Sequence, residues 1–310
     1  MQPRTRAWLA LGSVCILWGT TYLGIRVALE SFPPFLLMGV RYFLSGGIMV
    51  LGVRLWGATL PSGRELWLTS LYGIITIGFG TGLLCVAEQW VPSGLSALFI
   101  ATQPFWMVIA DWVLSAGANR PRGATIRGLI LGMIGVAVLV APNAIKEGLK
   151  SGIVAGFLML QLGCAGWVTG ALLQTRLNGR AHPIVSGAVQ QLATGAFFLL
   201  LTSAFERFPT HVRPQAIGGL LYLVIFGAIV GYSAFVYAMD RLPAAIVSIY
   251  AFVNPVVAVI LGWLIFREPF GLREMVAMIL IFAGIAIVKF SGTPESRIML
   301  EASDQLAVND

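Results

Sequence analysis

Apolar positions in this chain come in long blocks that neither alternate as in a half-buried strand nor leave a polar face as in a soluble helix. Blocks long enough to cross a ~30 Å hydrocarbon layer as helices fall at about residues 7–26, 35–55, 66–87, 93–115, 126–142, 152–174, 184–204, 216–239, 243–266 and 272–290. They predict ten transmembrane helices. Short connections with turn chemistry separate them, among them Ser31-Phe32-Pro33-Pro34, Pro61-Ser62-Gly63, Arg180-Ala181-His182-Pro183, Pro209 and Pro214. None is long enough to hold a soluble domain. The N-terminal MQPRTR ahead of its apolar run reads as the start of a first span, because the run is too long for a signal h-region and no small-residue cleavage site follows.

The blocks repeat. Pro92–Leu114 (PSGLSALFIATQPFWMVIADWVL) returns 151 positions later as Pro243–Ile265 (PAAIVSIYAFVNPVVAVILGWLI), which sets Phe99 on Tyr250, Gln103 on Asn254, Pro104 on Pro255 and Trp112 on Trp263. At offsets of 149 to 151 the correspondence extends to Trp18 and Trp167, Pro34 and Pro183, Arg41 and Gln190, Gly46 and Gly195, Gly80 and Gly231, and Gly135 and Gly284. Five spans per copy is an odd number, so the copies enter the membrane in opposite orientations. The fold expected is therefore an all-α integral membrane protein of ten transmembrane helices in two inverted five-helix repeats, residues 1–143 and 152–290. A flexible cytoplasmic tail over residues 291–310 completes it. Inverted repeats of this kind carry their substrate site at the midplane between the halves.

Composition agrees, with 310 residues that are 58% hydrophobic and only 11% charged. A soluble globule of that size needs more polar surface. Of the 20 Lys and Arg, Arg41 lies inside a block; twelve of the other 19 fall at the N-terminus and in the loops after even-numbered spans, and seven on the opposite face. This bias predicts that both termini are cytoplasmic, and it accounts for the net charge of +7 better than nucleic-acid binding does. The three cysteines sit singly inside apolar blocks, and His182 and His211 fall in loops without a partner motif. No metal site or cofactor is expected.

Candidate chemistry concentrates where polar groups lie at depth. Gln103 and Asn254 each come 11 residues after the proline that starts the block, roughly 16 Å into a helical span. Ser96, Phe99, Gln103 and Trp106 form one stripe at helical spacing, and Tyr250 and Asn254 are the matching pair. Pro104 and Pro255 each remove a helix hydrogen bond just beyond the amide and mark hinges. Arg41, at a cost on the order of 2.5–3.5 kcal/mol if centred in the bilayer, must face protein or water. It attracts a substrate carboxylate or phosphate, or else pairs with a helix C-terminus or with Glu88. Trp18 and Trp167 are aromatic cavity candidates. Glu88 and Asp111 are the carboxylates placed to carry protons for coupling.

Trp18-Gly19 with Arg26, Pro34 seven before Arg41, AEQWVPSGLSALFIATQP at Ala87–Pro104, NPVVAVILGWLIFREPF at Asn254–Phe270 and Gly284 together resemble the EamA-type transporters of the drug/metabolite transporter superfamily, across about residues 7–290. The resemblance implies a bacterial inner-membrane carrier, without ATP, that exports amino acids or related small metabolites, as monomer or homodimer. The family's Glu at the end of this pattern is Glu268, whereas the first-half equivalent is Gly117. No nucleotide-binding loop or hydrolase motif occurs in the chain, so an enzyme is not expected. A passive channel for a small solute is the alternative reading, with an intramembrane enzyme behind it.

Overall fold

The computed structural model describes residues 3–114, 121–147, 152–175, 181–242, 247 and 250–290. Among them there is no strand, and a helical rod follows each apolar block. In chain order the rods are α1 (Pro3–Ala28); α2 (Pro34–Leu55); α3 (Gly63–Gly73), a π-helical stretch (Ile74–Gly82) and α4 (Leu83–Ala87) end to end; α5 (Ser93–Ile100) and α6 (Gln103–Leu114) in line; and α7 (Gly123–Glu147). The second half has α8 (Gly152–Thr175); α9 (Pro183–Phe205); α10 (Pro214–Tyr222), a second π stretch (Leu223–Val230) and α11 (Gly231–Met239) end to end; α12 (Tyr250–Phe266); and α13 (Leu272–Phe290). Eight rods are long and apolar enough to cross a membrane, while α12, at 17 residues, is shorter. The last, α13, carries Arg273, Glu274 and Lys289 along its 19 residues. The expected tail over residues 291–310 lies outside the described residues.

Large apolar side chains on the outside of the rods, including Leu9, Ile16, Leu51, Ile130, Leu200 and Ile279, are more than half exposed. A surface as apolar as the interior suits a bundle whose solvent is lipid. Internal packing follows the repeat. The first rod packs on the eighth and ninth, the sixth on the third and fourth, α2 on α9, and α7 on α13. Exchanging each rod for its partner in the other half reproduces the same pairs.

Small residues make these contacts close. A Cβ on Gly46 would stand 2.2 Å from the backbone nitrogen of Leu192, and one on Gly195 would stand 2.1 Å from that of Phe43, so α2 and α9 touch backbone to backbone. Gly128 and Gly135 on α7 meet α13 in the same way. The paired tryptophans meet the paired glycines: Trp167 lies on Gly80 and Trp18 on Gly231. The two π stretches also correspond, since Ile74 and Leu223 are 149 residues apart. Gly78, Gly80 and Gly82 in the first stretch, with Gly227 in the second and Gly231 just after it, weaken the preference for α geometry there.

Candidate functional site

A cavity of about 190 Å³ lies inside the bundle. Its lining comes from the first four rods of each half, and none of the described residues of α7 or α13 contributes. Of the residues singled out in the sequence, Trp18, Arg41, Gln103, Trp167, Tyr250, Asn254 and Pro255 line it. Both π stretches border it through Thr76, Gly80, Thr81, Gly227 and Ala228. A π turn leaves backbone groups out of register, and one of these is satisfied across the bundle: the indole Nε1 of Trp18 donates to the Gly227 carbonyl at 3.1 Å. Trp18 in turn stands edge-on to Tyr250, with ring centroids 5.2 Å apart.

Arg41 is the charged residue among those that line the cavity. It is 4% exposed, and its Nε and Nη1 have no hydrogen-bond partner. Its Cζ sits 4.8 Å from the centre of the Tyr42 ring, and Nη2 lies 3.1 Å from the position a Cβ on Gly227 would take. Glycine at 227 is thus what admits the guanidinium. The pairing with Glu88, one of the alternatives the sequence left open, is not formed, since neither residue's buried unpartnered atoms find the other. Glu88 is fully buried, but both its carboxylate oxygens lack a partner and it does not line the cavity. Arg26 reaches it only at the backbone, Nη1 donating to the Glu88 carbonyl at 2.9 Å.

The two amides differ in their duties. Asn254, with its nitrogen turned toward α1, donates to the Cys15 carbonyl at 2.9 Å and to the Tyr250 carbonyl at 3.1 Å, so it joins α12 to α1 while lining the cavity. The Gln103 side chain makes no hydrogen bond among the described residues, nor do the hydroxyls of Tyr22, Tyr42 and Tyr250, which share the lining.

Two stripe residues stand outside the lining. Phe99 is fully buried and packs edge-on to Phe157 at 5.2 Å, and Trp106 donates from Nε1 to Gln161 Oε1 at 2.8 Å. Neither lines the cavity. The stripe assumed an unbroken helix, but α5 stops at Ile100 and α6 restarts at Gln103, with Ala101 and Thr102 in a turn between. Pro104, which also stays out of the lining, follows this interruption, as a residue unable to donate to Ile100 should. Thr102 Oγ1 also donates to Gln161 Oε1 (3.0 Å), so the break is tied to α8. Pro255 leaves α12 unbroken over its described length. The Asp111 side chain lies outside the described residues.

Several lining residues escaped the sequence reading. Gln190 appeared only as the repeat partner of Arg41, and Tyr42 and Gln191 each follow that pair by one position. Tyr232 gave no signal. Two carboxylates also serve as helix caps that sequence did not suggest. Glu268 accepts from Ser93 N (2.8 Å), Ser93 Oγ (2.8 Å) and Gly94 N (2.9 Å), holding the start of α5 to the end of α12. Glu206 accepts from Phe35 N (2.9 Å) and Leu36 N (2.8 Å) at the start of α2. Each places negative charge where a helix leaves its first N–H groups unpaired.

A bundle of membrane-length apolar helices around a polar-studded internal cavity defines an integral membrane transport protein. The chain belongs to the EamA-like transporter family, which it matches over residues 6–141 and again over residues 154–290. It is 30% identical over 282 residues to the uncharacterized inner membrane transporter YedA of Escherichia coli (strain K12), an alignment covering 90% of this chain and 89% of the relative. It is 28% identical over 291 residues to the uncharacterized transporter YvbV of Bacillus subtilis (strain 168), covering 92% of each. A solved crystal structure, 22% identical, shares the fold with a TM-score of 0.64 over 91% of this chain and 96% of that one.

Proposed function

We propose that this membrane transporter is a secondary carrier that exports amino acids or related small metabolites across the bacterial inner membrane by alternating access. Its ten helices cross in two inverted repeats with both termini cytoplasmic. The observation that carries the reading is the cavity itself, which takes matched residues from the two halves: Trp18 with Trp167, Arg41 with Gln190, and Gln103 with Asn254. A fixed site between two related halves is what rocking of one half against the other requires. The volume suits an amino-acid-sized solute, being larger than the ~150 Å³ apolar cavity known to admit benzene.

Glu88 is the proposed coupling group. Its carboxylate is buried with no hydrogen bond and no salt bridge, the nearby Arg26 reaching only its backbone carbonyl, so taking up a proton relieves a poorly compensated charge. Counterflow in proteoliposomes tests the carrier reading. Unlabelled solute trapped inside should drive transient uptake of labelled solute, and uptake unaffected by the trapped solute would mean a channel. For the coupling group, Glu88→Gln should abolish the response to an imposed pH gradient while exchange continues.

A further inference from the structure

We infer that the cavity is a receptor for a monoanionic organic carboxylate, one ring in size, whose carboxylate is held by Arg41. This inference rests on reading the cavity as the carrier's site and names the class of solute that fits it. Four observations combine. A guanidinium that is 4% exposed lines the cavity, and its Nε and Nη1, both closed to solvent, have no hydrogen-bond partner. A buried charge in that condition needs an opposite charge and hydrogen-bond acceptors. No described Asp or Glu lines the cavity to supply them. An arginine nitrogen gives a carboxylate a charge-assisted hydrogen bond, and Nη2 is the one of Arg41's three not closed off.

The other free polar groups point the same way. The phenol hydroxyls of Tyr22, Tyr42 and Tyr250, which make no hydrogen bond among the described residues, are donors available to an anion. The Asn254 nitrogen is already spent on carbonyls. With no carboxylate in the lining, an ammonium group on the solute would find no counter-charge and would be repelled by Arg41, which narrows the proposed solutes from amino acids to the related carboxylate metabolites. A single cation also sets the charge of the guest. A phosphate monoester brings about −1.5 to −2 at neutral pH, which one guanidinium leaves partly uncompensated in a low-dielectric site, whereas a monocarboxylate is balanced. Size completes the description, since about 190 Å³ exceeds the ~150 Å³ that accepts a benzene ring by the room of a short polar arm. Trp18, Trp167 and Tyr250 supply the aromatic walls.

Solutes of one ring and different charge isolate the inference. Purified protein in detergent is titrated by calorimetry with phenylacetate, phenylacetamide, phenethylamine, phenylalanine and phenyl phosphate. Phenylacetate should bind best, phenylalanine and phenyl phosphate more weakly, and phenylacetamide and phenethylamine least. Arg41→Gln should weaken phenylacetate about tenfold to a hundredfold, the loss expected for a charge-assisted hydrogen bond, and bring it level with the amide. Arg41→Gln should also leave the thermal stability of the unliganded protein unchanged or raised, because it deletes an unpaired buried charge. A merely structural arginine would lower that stability and leave the order of ligands intact, which would overturn the inference. So would equal binding of phenylacetate and phenethylamine, tightest binding of phenyl phosphate, or no binding of millimolar phenylacetate. The carrier reading fails separately: phenylacetate that binds through Arg41 but shows no counterflow in proteoliposomes leaves the anion site standing and removes the transport assignment. Counterflow of other solutes without an anion preference does the reverse.

Discussion

Replacing Glu268 by Gln changes one atom type at a junction between the halves, so its effect can be worked from the geometry. The wild-type carboxylate accepts three hydrogen bonds at 2.8 to 2.9 Å from Ser93 and Gly94. A glutamine that keeps its oxygen toward Ser93 turns its nitrogen toward the Gly94 N–H, so that bond is lost and the other two become neutral ones. Loss of one charge-assisted bond is worth about 1.5–3 kcal/mol, and removing a negative charge from a helix N-terminus adds about 0.3–1 kcal/mol. A total of roughly 2–4 kcal/mol should lower the melting temperature in detergent by about 4–8 °C, taking roughly 2 °C per kcal/mol for a chain of this length. Ser93→Ala removes only the hydroxyl donor and should cost less, on the order of 1 kcal/mol. The double variant should lose less than the sum, since the two share one set of bonds. A Glu268→Gln protein that melts within 1 °C of wild type, or strict additivity with Ser93→Ala, would show that this carboxylate does not hold α5 to α12.

Other outcomes follow from the same geometry. Gly195→Ala puts a Cβ 2.1 Å from the Phe43 nitrogen, which forces α2 and α9 apart by about 1.3 Å to reach ordinary contact and should cost at least 1–3 kcal/mol in thermal stability. Gly47→Ala, with nothing within 4 Å of the new methyl, should be neutral or stabilise by up to about 1 kcal/mol; equal behaviour of the two would refute the close crossing. Trp106→Phe should cost about 1 kcal/mol of stability through its lost bond to Gln161 and leave ligand affinity in calorimetry unchanged. Gln103→Leu should weaken binding without lowering the melting temperature, whereas Asn254→Leu should do both, because its nitrogen also ties α12 to α1.

The helical rods were legible in the sequence because a lipid-solvated helix must bury its backbone polarity along its whole length, and that demand writes itself as uninterrupted apolar blocks. The pairs Gly46/Gly195 and Trp18/Trp167 were also visible, since close packing leaves no alternative to glycine and little to tryptophan. The site was legible only in part. Gln103, Asn254 and Arg41 stand out as polar residues at depth, but Thr76, Tyr42 and Tyr232 are ordinary for a membrane helix, and only three-dimensional convergence brings them together. Phe99 and Trp106 were expected on one stripe with Gln103, but the helix is interrupted at Ala101–Thr102 and of the three only Gln103 lines the cavity. The fate of Glu88 and Arg41 was equally hidden. Opposite charges at depth suggest a pair, and yet the two do not pair with each other.

That separation bears on the proposed carrier mechanism. A guanidinium and a carboxyl that neutralised each other permanently would cost little and do nothing, because a satisfied pair has no need of a guest or a proton. Held apart, Arg41 in the cavity and Glu88 outside its lining each lack a side-chain hydrogen-bond partner, which is what the proposed roles in anion binding and proton coupling call for. The places where the helices are least regular, the π stretches beside Gly80 and Gly227 and the turn before Gln103, all border the same cavity. Irregular backbone is where the rods yield most easily, so under the proposed alternating access these are the segments that bend, and the anion proposed at Arg41 lies beside them.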